Sequence, residues 1–119
     1  KKMKKFFHLP LQSASNKILK LMNRKYKVED WLKIVLAFRK EIPDLALSTD
    51  IIVGFPEETP EDFLATFNLI KEINPNQMNM SKFWLRKGTE AEKMNQVPVE
   101  IAKNRATKLA KMYNPISVK

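Results

Sequence analysis

The chain of 119 residues contains no cysteine and a single histidine, His8. Without a thiol it can form no disulfide, thiolate metal site or iron–sulfur ligation from its own residues. One imidazole cannot complete the usual histidine metal sites either, so His8 is expected to be a structurally satisfied histidine. No 18-residue apolar run and no apolar signal segment occur, so we expect a cytoplasmic chain with no membrane span. Asn79-Met80-Ser81 matches the glycosylation sequon in form only, because that modification belongs to secreted chains. Internal repeats, low-complexity stretches and linkers are also missing, and the expectation is one domain over residues 1–119.

At 44% hydrophobic residues, the chain can bury a modest core. Its formal charge is +9. Lys17, Lys20, Arg24 and Lys27 fall three or four apart and would make one helix face basic, and Lys1-Lys2-Met3-Lys4-Lys5 adds to it. Such a surface suits RNA phosphates. Lysine-rich faces also solvate many proteins that meet no polyanion. Aromatics do not interleave with this stripe, so no base-stacking platform is visible.

Apolar and helical segments alternate along the chain. Phe6, Phe7, Leu9 and Leu11 suit a strand with Pro10 near its end. A short helix is predicted from 16 to about 24, and a longer one from about 28 to 41, where Trp31, Val35, Phe38 and Ile42 keep helical spacing and Pro43 follows. Residues 46–53 form the next strand. Its β-branched run, bounded by Gly54 and Pro56, predicts burial on both faces, as in parallel sheets. Thr59 then offers an N-cap oxygen, Pro60 suits the first helical position, and Glu61 and Asp62 favour the positive helix end. That helix carries Phe63, Phe67 and Ile70 inward and stops at Asn74-Pro75. A third strand is predicted over 77–85 through Met78, Met80 and Phe83, and a last helix from Pro98 with Ala102, Ala106, Leu109 and Tyr113 on one face. This order predicts an α/β fold with three parallel strands and crossover helices.

Ligands in such folds gather at the carboxyl ends of strands. Asp50 is out of place inside its apolar strand, because a carboxylate there is costly unless something satisfies it. Three strands cannot close a barrel, and an eight-stranded one usually needs about 200 residues or more. The expectation is therefore part of a larger barrel whose inner face is exposed or paired with another copy. A complete three-strand domain is the alternative.

The run His8-Leu9-Pro10-Leu11-Gln12-Ser13-Ala14-Ser15-Asn16, then Leu21-Met22-Asn23-Arg24-Lys25-Tyr26, Thr49-Asp50-Ile51-Ile52-Val53-Gly54-Phe55-Pro56 and Arg86-Lys87-Gly88-Thr89 together resemble radical-SAM methylthiotransferases. Ala14 and Lys93-Met94-Asn95-Gln96-Val97-Pro98 are most similar to the archaeal and eukaryotic branch that modifies threonylcarbamoyladenosine in tRNA. The branches acting on isopentenyladenosine or on a ribosomal aspartate are the alternatives. The resemblance implies the C-terminal half of a TIM-like radical-SAM barrel, roughly its fourth to sixth strands. Relatives hold one 4Fe-4S cluster on a three-cysteine motif near the first strand and a second on an N-terminal domain. An RNA-binding domain would follow Lys119. With neither cysteine set, this chain alone is expected to be inactive and to hold no catalytic or metal-binding residue.

The resemblance leaves it part of the S-adenosylmethionine pocket: Gln12 and Asp50 for the ribose hydroxyls, Arg24 for the methionine carboxylate, and Ser13 in the adjoining turn. The residue types suit those tasks. A carboxylate accepts from a diol, an amide donates or accepts, and a guanidinium meets a carboxylate as a two-pronged donor. Plainer readings are a solvated Arg24, an Asp50 that caps a turn, and serines that cap a helix. Gly54 would serve backbone geometry, and Arg86 and Thr89 would face substrate or a neighbouring domain. Glu57, Leu85 and Lys87 stand where relatives often have Gly, Pro and Pro. The competing function class is a non-enzymatic α/β half-barrel that binds RNA or self-associates through its open face.

Overall fold

In the computed structural model, which describes residues 5–113, strands and helices alternate as β1 (Phe6–His8), α1 (Asn16–Leu21), α2 (Val28–Glu41), β2 (Ala46–Val53), α3 (Pro60–Ile73), β3 (Gln77–Lys82) and α4 (Val99–Met112). A short 3-10 turn, Glu90–Lys93, precedes α4. The basic lead over 1–4 lies outside the described residues. All three strands run parallel in the order β1-β2-β3, with Phe7 opposite Leu47 and Asp50 opposite Asn79.

The helices cover one face of this sheet. Leu47, Thr49, Ile51 and Val53 of β2 are fully buried there. Leu47, Ile51 and Val53 join a core with Trp31 and Val35 of α2, Phe63 and Ile70 of α3, and Leu109 of α4. Each fully buried Val, Leu or Ile contributes roughly 1.5–3 kcal/mol. Phe7 adds to this side by stacking on Phe38 at 4.5 Å.

The opposite face is open and polar. His8, Gln77, Asn79 and Ser81 are exposed, and Asp50 and Ile52 are half-buried. β2 is thus fully buried on the helix side and only in part on the other, where Ser48 is buried but Asp50 and Ile52 are half-buried, short of the expected burial on both faces. A continuous β-branched run cannot reveal which face a helix covers, and among the described residues no crossover helix reaches this side.

Local chemistry explains the element ends. The Ser15 hydroxyl caps α1 by accepting from the Ile18 N–H at 3.3 Å. This helix ends at Leu21 and not near 24, because Asn23 turns left-handed (φ 64°) and the Asn23 and Arg24 N–H groups cap the Lys20 and Leu19 carbonyls at 2.9 Å. Arg24 and Lys27 therefore lie beyond the helix, and the basic stripe is not one helix face. At α3, Thr59 Oγ1 accepts from the Asp62 N–H at 3.1 Å while Asp62 Oδ2 accepts from the Thr59 N–H at 2.9 Å.

An internal ion pair fixes α4. Arg105 donates to Glu58 Oε1 at 2.7 Å and to the Glu58 carbonyl at 3.1 Å, and its guanidinium lies over the Phe63 ring. Glu58 also accepts from the Gly54 N–H at 2.9 Å. Gly54 has φ +79°, and a Cβ there would come within 2.7 Å of Ala102 Cβ, so only glycine lets α4 approach this strand end. Among the described residues, no helix is long and apolar enough to cross a membrane.

Candidate ligand-binding edge

The segment after β1 reaches the sheet edge pinned from several sides. Pro10 has no N–H to continue the ladder. The Leu9 carbonyl accepts from Trp31 Nε1 at 2.9 Å and from the Thr49 hydroxyl at 2.8 Å, and Thr49 Oγ1 accepts from the Leu11 N–H at 3.0 Å. The Tyr26 hydroxyl donates to the Leu11 carbonyl at 3.0 Å, and burial pushes that phenol's pKa up. The Ala14 N–H reaches Thr66 Oγ1 at 2.8 Å.

Between these anchors Gln12 adopts φ 72°, in the left-handed region. Such backbone costs about 1–3 kcal/mol for a non-glycine residue and persists where neighbours impose it. Here the Gln12 N–H donates to the Asp50 carbonyl at 2.7 Å, and the Gln12 carbonyl accepts from the Ile52 N–H at 2.9 Å. Gln12 thereby rejoins the sheet as a single bridge beside Ile51.

The Asp50 carboxylate stands on the open face. Its Oδ2 lies 3.1 Å from His8 Nε2, and its Oδ1 accepts from Asn79 Nδ2 at 3.0 Å. His8 Nδ1 lies 2.9 Å from Ser48 Oγ. An ionised carboxylate only accepts, so Nε2 carries the proton toward Asp50, and in the Nε2–H tautomer Nδ1 accepts from Ser48. One polar line, Ser48–His8–Asp50–Asn79, thus crosses all three strands. The Asp50 side chain remains 33% exposed. Of about four lone-pair positions on a carboxylate, two are used and two are left for a ligand.

The structure brings Gln12 and Asp50 together through their backbones, the Gln12 N–H on the Asp50 carbonyl, and no hydrogen bond among the described residues joins their side chains. Ser13 follows in the chain but is fully buried, and its hydroxyl accepts from the Ser15 N–H at 3.2 Å. Arg24 is exposed, and no hydrogen bond or ion pair among the described residues joins its side chain to Gln12 or Asp50. Asn79, the formal sequon residue, is Asp50's partner from β3. His8 is satisfied as expected, but its partner is the candidate ligand residue itself. Alternation of polar types at His8, Ser48, Asp50, Asn79 and Ser81 was the signal for this face.

Behind the edge, Asp62 binds α1 to α3 by accepting from the Ser15 hydroxyl at 2.8 Å and pairing with Lys17 at 2.8 Å. Burial alone would raise its pKa, but Lys17, the Thr59 N–H and Ser15 together hold it at about 2. Burial pushes the Glu58 carboxyl above its usual range, while the Gly54 N–H and Arg105 pull it back. A separate apolar groove of about 600 Å³ lies between α3 and α4, lined by Phe63, Phe67, Ile101 and Lys108 among others. None of the candidate ligand residues lines it. Arg86 and Thr89 are exposed and bond one another, the Thr89 hydroxyl donating to the Arg86 carbonyl at 2.7 Å.

The Radical SAM superfamily profile matches residues 1–70. A probable threonylcarbamoyladenosine tRNA methylthiotransferase of Archaeoglobus fulgidus is 44% identical over 117 residues, which cover 98% of this chain and 28% of that protein. One of the same description from Pyrococcus horikoshii is 47% identical, with 98% and 27% covered. A tRNA-2-methylthio-N(6)-dimethylallyladenosine synthase of Acetivibrio thermocellus is 47% identical, with 92% and 23% covered. The chain thus spans about a quarter of the length of these curated relatives. Among solved structures, the Escherichia coli coproporphyrinogen III oxidase, described as a radical SAM enzyme, superposes with a TM-score of 0.67 at 23% identity, covering 88% of this chain and 25% of that one. That likeness makes the open three-stranded sheet an arc of a TIM-like radical-SAM barrel. With more than half of its length matched by the superfamily profile, and tRNA methylthiotransferases as relatives over nearly all of it, the chain belongs to the radical SAM superfamily.

Proposed function

We propose that this chain is a C-terminal part of the radical-SAM core of a tRNA methylthiotransferase and carries one edge of its S-adenosylmethionine site. Asp50 takes the ribose hydroxyls beside Gln12, Arg24 takes the methionine carboxylate, and Ser13 shapes the turn between them. The observation that carries this reading is the Asp50 carboxylate itself, held on the open sheet face by His8 and Asn79 with lone pairs free, while the Gln12 backbone is tied to the Asp50 backbone. A diol needs two acceptors close together, and a carboxylate supplies them. Arg24 is free to form a two-pronged pair, since none of the described residues occupies its side chain.

When bound and reduced, S-adenosylmethionine supplies the radical chemistry that lets an unreactive adenine carbon accept sulfur. This chain's residues bind and orient it. The chain has no cysteine, so it offers no thiolate to a 4Fe-4S cluster, and by itself it does not catalyse. The archaeal relatives favour threonylcarbamoyladenosine in tRNA as the substrate of the whole enzyme. The exposed Lys20 and Lys27 suit its phosphates.

Calorimetric titration of S-adenosylmethionine into the chain tests the reading. The expected result is weak binding, lowered roughly tenfold by Asp50→Ala and again by Arg24→Ala, as for loss of a hydrogen bond to a charged group. Absence of heat at millimolar ligand, or affinity indifferent to both substitutions, overturns it.

A further inference from the structure

The one histidine lies in the polar line that ends on the candidate ligand carboxylate, and it reaches across from a different strand. His8 belongs to β1, while Ser48 and Asp50 belong to β2, forty and forty-two positions later. Parallel pairing sets His8 opposite Ser48, and the ring spans from Ser48 to the next residue on that face, Asp50. The Ser48 anchor is almost wholly buried and so is fixed in place. Asn79, opposite Asp50 on β3, holds the other oxygen. A carboxylate with one donor can turn about its terminal torsion, which is broad and two-fold. With a donor on each oxygen, from strands on either side, that torsion is fixed.

We infer that His8 is a positioning residue that locks the Asp50 carboxylate so that one free lone pair on each oxygen meets both hydroxyls of a cis-diol, making the site selective for ribose over deoxyribose. This rests on the assignment of Asp50 to the ribose. The imidazole acts through Asp50 and needs no contact with the ligand. Its neutral form, protonated on Nε2, fulfils the role, because that tautomer alone donates to the acid while accepting from Ser48. Glutamine can place an amide N–H near the Nε2 position. Alanine leaves Asp50 with Asn79 only.

The test compares S-adenosylhomocysteine with its 2′-deoxy analogue as probes, by calorimetry on the chain, for wild type, His8→Ala and His8→Gln. Wild type is expected to prefer the ribose form about tenfold, the value of one hydrogen bond to a charged acceptor. His8→Ala should bring that preference close to unity, and His8→Gln should restore most of it. In the ligand-free chain, ring nitrogen shifts should report the Nε2–H tautomer, and this readout needs no ligand. If wild type binds neither probe, the ribose assignment fails and this inference falls with it. If wild type prefers ribose and His8→Ala keeps the full preference, the positioning role alone is refuted. A His8→Ala chain that does not fold leaves the decision to His8→Gln and the shifts: loss of preference in the glutamine variant, or an Nδ1–H ring, overturns the inference.

Discussion

Backbone strain in this chain collects at the strand ends. Gln12, just beyond β1, and Glu57, just beyond β2, both hold left-handed backbone, at φ 72° and 73°. Asparagine tolerates that region, as Asn23 and Asn74 do, but Gln and Glu have no such ease. Glu57 holds a turn conformation that glycine adopts without cost. The offset comes from Asn95: its N–H donates to Glu57 Oε2 at 2.8 Å, and its carbonyl accepts from the Glu57 N–H at 2.8 Å. Glu57→Ala keeps the strain and loses the carboxylate clasp, whereas Glu57→Gly loses the clasp and the strain together. Urea unfolding is expected to rank wild type above Gly and Gly above Ala, the last two separated by about 1 kcal/mol. Equal stability of the Gly and Ala variants would mean that the turn is unstrained. Asp50 was legible as a site candidate because an acid in an apolar strand demands a partner. The partner was not legible, since only the register of the folded sheet brings His8 to it.

At the scale of elements, the bounds of α2, β2 and α3 were readable because breakers and caps flank them: Pro43 after α2, Gly54 after β2, and Thr59-Pro60 and Asn74-Pro75 around α3. β3 stops at Lys82, short of the expected 85, and Phe83 falls out of step with the alternation of Met78 and Met80. Its partner explains this, because Lys82 pairs with Val53, the last residue of β2. α1 is short for its own reason, the left-handed Asn23. So short a helix depends on tertiary ties, and Asp62 provides them through Ser15 and Lys17. The Asp62 pKa of about 2 lies below its ordinary 3.8. A depressed acid contributes stability above its unfolded value and loses it as pH falls through the folded one. Asp62→Asn is therefore expected to destabilise by about 1–2 kcal/mol near neutrality. The gap to wild type should narrow between pH 4 and pH 2. A gap that stays constant over that range, measured from urea midpoints, would show that the ionised form adds nothing.

For the whole molecule the open sheet sets the behaviour. Among the described residues β1 and β3 each pair on one side only, and unpaired strand edges are templates for further strands. Large apolar side chains stand at both: Phe6 in β1 is 63% exposed, and Trp84, just past β3, is 81% exposed. The open face between them is polar and hydrogen-bonded within itself, so water satisfies it and its edges supply the drive to associate. Against this works a formal charge of +9, which repels a second copy. Salt decides the balance, because the Debye length falls from about 30 Å at 0.01 M to about 3 Å at 1 M. Sedimentation of the 119-residue chain is expected to show a single-chain mass at low salt and a mass that grows with concentration at high salt. Phe6→Lys with Trp84→Lys should hold it at one chain under both conditions, because lysine at an edge is a common guard against pairing. A single-chain mass throughout, or association untouched by the two lysines, would refute pairing through the sheet edges and leave the open side of this half-barrel without a self-partner.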